Sequence, residues 1–202
     1  MDGAPALGAV LAGGRSTRMG RSKAMVELGG RPLIAYPLEA IAAAGLEPVV
    51  VAKPDSELPP LDCRVVREAH EPVHPLAGLV AALEAADGRP VIALACDLPF
   101  VPAELLAWLA HLPDAVAVTF AAGRLHPLLA RYASEVGRLF ASALPDPMPL
   151  TEAVVSLDPR IVSEQEVGRF GDPERIAFNV NSPEDLERAR ELLEAPPRDP
   201  AR

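Results

Sequence analysis

Two short apolar runs constrain the fold of this chain more than any other feature. Residues 6–11 (Ala-Leu-Gly-Ala-Val-Leu) and 90–95 (Pro-Val-Ile-Ala-Leu-Ala) carry no polar side chain. The first runs into Gly13-Gly14 and the second into Cys96-Asp97. Runs this short and this continuous fit strands covered on both faces, the setting of a parallel sheet between layers of helix.

The remaining pattern agrees with that setting. Pro48–Ala52 and Arg64–Val66 read as further strands, as do Ala115–Phe120, Pro127–Ala130 and Phe178–Val180. Between them lie helical patterns: Pro32–Ala44 closed by Gly45, Pro75 to about Ala86, Pro102–Leu112, Ser134–Ala143 and Leu150–Ser156. A last helix runs to about Leu193, started by Ser182 as cap, Pro183 at its first position and early acids. Alternating strands and helices predict a three-layer α/β/α, Rossmann-like domain with a mostly parallel sheet. One domain over residues 1–195 is expected, with 196–202 as a disordered tail. In such sheets ligands bind beyond the carboxyl ends of the strands, where Gly13-Gly14 and Asp97 both fall.

Residues 11–23 read Leu-Ala-Gly-Gly-Arg-Ser-Thr-Arg-Met-Gly-Arg-Ser-Lys. Glycine lets a backbone approach a ligand closely, so its N–H groups can face phosphate oxygens. Arg15, Arg18, Arg21 and Lys23 concentrate positive charge in a chain whose net charge is −9. Guanidinium suits bidentate phosphate contacts and ammonium acts as a point charge. The competing reading is a solvated surface turn. The segment is neither a Walker A loop nor the dinucleotide fingerprint, because the glycine spacing fits neither. Asp97, opposite it at a strand end, suits a hard cation with oxygen ligands, namely magnesium bridged to phosphate. Its alternative role is to cap the helix near Pro102.

The acidic balance argues against a nucleic-acid or acidic-membrane binder. No apolar stretch has the length of a membrane span and residues 1–12 lack a secretory pattern, so a cytoplasmic location is expected. Cys63 and Cys96 have neither disulfide-framework nor metal-ligand spacing and read as buried thiols. Aromatic residues make up only 4%, which leaves the core to Ala, Val, Leu and Ile; Trp108, beside Leu105, Leu109 and Leu112, reads as packing.

Leu11–Lys23, with Leu-Ala-Gly-Gly, Arg-Met-Gly and the closing Lys, resembles the signature of the Rossmann-like nucleotidyltransferases. Pro75-Leu76-Ala77-Gly78, Cys96-Asp97-Leu98-Pro99, His126-Pro127 and Asn179-Val180-Asn181 extend that resemblance to the MobA-type molybdenum cofactor guanylyltransferases, over about Leu7 to Leu193. The resemblance implies transfer of GMP from GTP to the terminal phosphate of molybdopterin, or its molybdenum-loaded form, with release of pyrophosphate. It implies a GTP site at Leu11, Ala12, Gly13, Gly14, Lys23, Glu68 and Asp97, and magnesium on Asp97. Arg15, Lys23 and Asp97 would carry the reaction, and Asn179, Asn181 and His126 would meet the acceptor. Turn formation and capping remain alternatives for the two asparagines, and a loop-ordering hydrogen bond for His126. Other proteins of cofactor biosynthesis and acceptor molybdoenzymes follow as partners. The pattern departs from the family at Ala52, where Asn is frequent, at Glu68, where Asp is frequent, and at His74, where Gly is usual. A CMP-transferring or sugar-phosphate relative, or a non-catalytic nucleotide-binding homologue, is the competing expectation.

Overall fold

The computed structural model describes residues 5–13, 22–69 and 71–194. In chain order the elements are β1 (Leu7–Leu11), β2 (Glu27–Leu28), β3 (Arg31–Pro32), α1 (Ala35–Ala43), β4 (Glu47–Ala52), β5 (Arg64–Arg67), α2 (Pro75–Ala85), β6 (Val91–Ala95), α3 (Ala103–Ala110), β7 (Val116–Ala121), β8 (Arg124–Tyr132), α4 (Val136–Ala143), α5 (Leu150–Val155), β9 (Arg160–Val162), α6 (Glu164–Val167), α7 (Pro173–Ile176) and α8 (Pro183–Glu194). Seven strands form one sheet in the order β5-β4-β1-β6-β8-β7-β9. The pairs β1–β4, β1–β6, β4–β5 and β7–β9 are parallel, and β8 runs antiparallel to β6 and β7. The architecture is the mostly parallel α/β sheet that the apolar runs predict.

Period-two alternation assigns side chains to the two faces. Val10, Val50, Ile92 and Leu94 pack toward Ile41 of α1 and Leu105 and Leu109 of α3. Leu7, Ala9, Leu11, Val49 and Val51 pack toward Leu76, Leu79 and Leu83 of α2, with Phe140 of α4 and Val154 of α5. A smaller cluster joins Val26, Leu28 and Leu33 to Val180 and to Ala189 of α8. Gly8 is where β1 touches α1: a Cβ there would lie 2.2 Å from Ile41 Cγ2. Ile41 is fully buried and stiff at its branched Cβ, so the overlap cannot be relieved by a rotamer change. Gly8→Ala is therefore expected to destabilise the fold by about 1–3 kcal/mol, read as a lower denaturant midpoint with an unchanged slope.

Several boundaries differ from those expected. Pro32 does not open a helix; it ends a small antiparallel hairpin whose turn residues, Gly29 (φ 56°) and Gly30 (φ 78°), adopt the left-handed geometry of a two-residue turn. The helix starts at Ala35. Phe178–Val180 joins no sheet; Val180 N–H instead donates to the Asp97 carbonyl at 3.0 Å. Strand β8 is longer than expected and is joined to β7 by Ala122 (φ 49°) and Gly123 (φ 71°), again a two-residue turn. The start of α8 is as predicted: Asp185 N–H donates to Ser182 Oγ at 3.2 Å, and Asp185 Oδ2 accepts from Ser182 N–H at 2.9 Å. Among the described residues, no helix is long and apolar enough to cross a membrane, and both cysteines are free thiols.

Candidate active site

Register brings the strand ends to one level. Leu11 pairs with Val51 on one side and Ala95 on the other, while Ala52 pairs with Arg67. The ladders run a little further, through Ala12 N–H to Val51 O, Cys96 N–H to Leu11 O and Glu68 N–H to Ala52 O. Gly13, Lys53, Glu68 and Asp97 thus emerge along a common rim.

A cleft of about 320 Å³ opens on this rim between Leu11, Gly13, Lys23, Lys53, Glu68 and Asp97. A second, of about 280 Å³, lies between Asp97, Arg124, His126, Thr151 and Asn179. Pro75, Ala95, Asp97 and Leu128 line both, so the clefts meet at Asp97.

The Asp97 side chain is 12% exposed and is engaged at both oxygens. Lys23 Nζ donates to Oδ2 at 2.7 Å and to Asn181 Oδ1 at 2.5 Å. Asn179 Nδ2 donates to Oδ1 at 3.2 Å, and Arg124 Nη2 donates to Asn179 Oδ1 at 2.7 Å. The two asparagines face the same way because Val180 between them is turned into the core. Helix α3 has Pro102 at its cap position and no side-chain capping bond, which removes the capping role considered for Asp97.

In the wall of the first cleft, Lys53 and Glu68 form a buried pair, Nζ to Oε1 3.5 Å, and Lys53 Nζ also donates to Ala69 O at 3.1 Å. Burial pushes the Glu68 carboxyl above its ordinary pKa, and Lys53 opposes the shift. The Glu68 carboxylate fills space that two glycines leave open: a Cβ at Gly13 would lie 2.1 Å from Oε1, and one at Gly78 2.9 Å from Oε2. Those glycines give the Glu68 carboxylate its close approach, and neither has a positive φ.

Of the residues expected at the site, Leu11, Gly13, Lys23, Glu68, Asp97, Asn179 and His126 line one cleft or the other. Asn181 reaches the cluster through Lys23. Ala12 is buried beneath the rim. Gly14 and Arg15, with Arg18 and Arg21, lie outside the described residues, as does the tail from residue 195. Ala52 is fully buried, and alternation gives the cleft Val51 and Lys53 instead. His74, a further departure, caps α2 by accepting from Leu76 N–H at 3.2 Å. His126 is buried with Nε2 3.0 Å from Ala121 O, which ties the β7–β8 hairpin together; burial pushes its imidazole below the ordinary pKa and favours the neutral ring. Burial pushes the Cys96 thiol up to about 12, so it is protonated and no nucleophile at neutral pH.

Sequence reasoning did not single out Lys53 or Arg124. Lys53 carried the signal that marked Asp97, a charge directly after an apolar strand. Arg124 carried a weaker one, two residues before His126-Pro127. Among the described residues, no three His, Cys, Asp or Glu side chains converge as a metal cage. Magnesium, however, is commonly held by one or two carboxylates with phosphate oxygens completing the shell. Asp97, a hard oxygen donor where two clefts meet, fits that arrangement.

The MobA-like NTP transferase domain profile matches residues 8–146. The molybdenum cofactor guanylyltransferase of Cereibacter sphaeroides is 36% identical, over 92% of this chain and 96% of its own length. That of Rhizobium johnstonii is 33% identical over 96% of each. The crystal structure of molybdopterin-guanine dinucleotide biosynthesis protein A from Archaeoglobus fulgidus superposes with a TM-score of 0.78 at 25% identity, covering 92% of this chain and 97% of that one.

Proposed function

This chain belongs to the MobA-like NTP transferase family, and from that premise we propose that it transfers GMP from GTP to the terminal phosphate of molybdopterin or its molybdenum-loaded form. It is a nucleotidyltransferase. The observation that carries the substrate reading is the meeting of two clefts at Asp97, with Lys23 and Asn179 on its two oxygens. A two-substrate transfer needs such a junction, and relatives of similar length bear the corresponding name.

GTP takes the first cleft. Leu11 walls the nucleotide, the backbone leaving the strand at Gly13 approaches the triphosphate, and Lys23 supplies a point charge to it. An oxygen of the acceptor phosphate attacks the α-phosphorus; the bond from that phosphorus to the β-phosphate oxygen breaks, and pyrophosphate carries the electron pair away. A phosphate nucleophile is already ionised near neutral pH, so the protein's work is positioning and charge stabilisation rather than proton removal. Magnesium on Asp97 and phosphate oxygens would neutralise charge gathering in the transition state. Asn179 and Asn181 hold Asp97 and Lys23 in place on the acceptor side. The enzyme is placed in the cytoplasm, where GTP is available and Cys63 and Cys96 stay reduced. Its protein partners would be other cofactor-biosynthesis proteins and the molybdoenzymes that receive the product, with no role for nucleic acid or membrane.

Glu68 gives this reading a pH signature. An ionised carboxylate accepts from the N1–H and N2 amino groups of guanine, and a protonated one does so poorly. Because burial raises the Glu68 pKa, protonation sets in at a higher pH than for an ordinary carboxyl. The preference for GTP over ITP, which lacks the amino group, is expected to fall roughly tenfold as pH drops through that raised value. Glu68→Gln should flatten the profile. Pyrophosphate release with each of the four common triphosphates, with and without molybdopterin, tests the whole reading; CTP binding as tightly as GTP would sink the guanine assignment.

A further inference from the structure

We propose that the second cleft is a phosphomonoester site and that Arg124 is the cation that binds the acceptor's phosphate there. The inference rests on the function proposed above and names a residue for its acceptor side. A phosphomonoester approaching Asp97 from this cleft meets a carboxylate of like charge in a chain of net charge −9. It therefore needs a local cation. Among the described residues lining this cleft, Arg124 provides it, since His126 is held toward its neutral form.

The position of Arg124 is fixed rather than incidental. It is the first residue of β8, directly after the tight turn at Ala122–Gly123, so its backbone is anchored in the sheet. Its Nη2 donates to Asn179 Oδ1 at 2.7 Å. That bond occupies the amide oxygen and leaves Asn179 Nδ2 to face Asp97 Oδ1, 3.2 Å away. A guanidinium has five N–H groups in a planar fork, so one bond to Asn179 leaves others to meet two phosphate oxygens. Thr151 adds a hydroxyl to the same lining.

The geometry of displacement favours the acceptor over the triphosphate as the partner of Arg124. Attack in line requires the entering oxygen and the departing pyrophosphate oxygen on opposite sides of the α-phosphorus. Lys23 lines the first cleft and Arg124 the second, with Asp97 between them. A triphosphate on Lys23 thus leaves the Arg124 side for the entering phosphate.

The test is equilibrium binding to the full chain saturated with the α,β-methylene analogue of GTP and magnesium, so that no transfer occurs. Two probes are titrated: molybdopterin, followed by pterin fluorescence without air, and methyl phosphate, followed by phosphorus NMR. The variant is Arg124→Gln, which keeps a donor for Asn179 while removing the charge; thermal melting confirms that it is folded. The expected result is acceptor affinity lower by roughly 10- to 100-fold, the size of a lost charge-assisted contact, with affinity for the GTP analogue within about twofold. Unchanged affinity for both probes in Arg124→Gln would overturn the assignment, as would failure of wild type to bind either. So would a loss falling on the GTP analogue instead. Arg124-dependent binding of methyl phosphate, with no binding of molybdopterin, would uphold the phosphate site and remove molybdopterin as the acceptor.

Discussion

Asp97→Asn is expected to remain folded and to lose turnover by on the order of a thousandfold, the scale of a few kcal/mol of lost charge stabilisation. The amide keeps the shape of the carboxylate. Its one oxygen can still accept from Lys23, at the cost of the bond from Asn179, and the backbone bond from Val180 N–H to the residue 97 carbonyl is untouched. What disappears is the anion. An amide oxygen is a poor magnesium ligand, so the metal and the triphosphate should no longer reinforce each other's binding. The loss should fall on kcat more than on KM for GTP, because the charge it offsets develops in the transition state. Pyrophosphate release across a magnesium titration, with melting as the folding control, separates these outcomes. If the folded variant turns over near the wild-type rate at the same magnesium concentration, the metal is held elsewhere and the reading of this rim is wrong.

How far the fold could be read from the sequence depended on the length of each element. β1 and β6 were legible because every side chain in them is apolar, and strand ends in a parallel sheet share a rim. The side-by-side placement of Asn179 and Asn181 was legible because extended chain has a period of two, whatever its pairing. That Phe178–Val180 joins no sheet was not legible, since its hydrogen-bond partner is Asp97, some eighty positions earlier. β3 and β9 have two or three residues each, too few for any period to show.

The site divides in the same way. Lys23 and Asp97 stand out locally, one at the end of a basic glycine-rich segment and one at the end of an apolar strand. Lys53 follows an apolar strand as Asp97 does, but a lysine is expected in water unless paired, and its partner Glu68 comes from the next strand's end. Of the two glycines that make room for Glu68, Gly13 reads as a phosphate-loop residue and Gly78 as one position of a helix until the carboxylate between them is seen. Ala52 is a related case. Matched by sequence to a position where the family frequently has Asn, it is turned by strand alternation into the core, and the cleft receives its neighbours.

Lys23→Ala carries the second large expectation: triphosphate affinity lower by about 1.5–3 kcal/mol, roughly 10- to 150-fold. Lys23 opens a short 3-10 turn, and its ammonium sits between Asp97 Oδ2 and Asn181 Oδ1 at 2.7 and 2.5 Å. In the free protein it is a counter-ion to the carboxylate. On binding of a triphosphate it can exchange that partner for phosphate oxygens without leaving the junction of the clefts. Removing it deprives the phosphates of a point charge and leaves Asp97 facing them less shielded, so affinity should fall at every magnesium concentration. Fold stability should fall as well, because the pair is mostly buried and its loss leaves the Asp97 carboxylate without a counter-ion, so affinity is read below the melting temperature of each protein. Lys23→Arg should recover only part of the loss. A guanidinium is a broad planar fork, and the space between Asp97 and Asn181 is matched to a compact ammonium. GTP titration calorimetry on the three proteins, run beside thermal melts, gives the answer. Wild-type affinity in Lys23→Ala would show that the triphosphate does not lie against this residue, and the acceptor and nucleotide clefts would have to be reassigned.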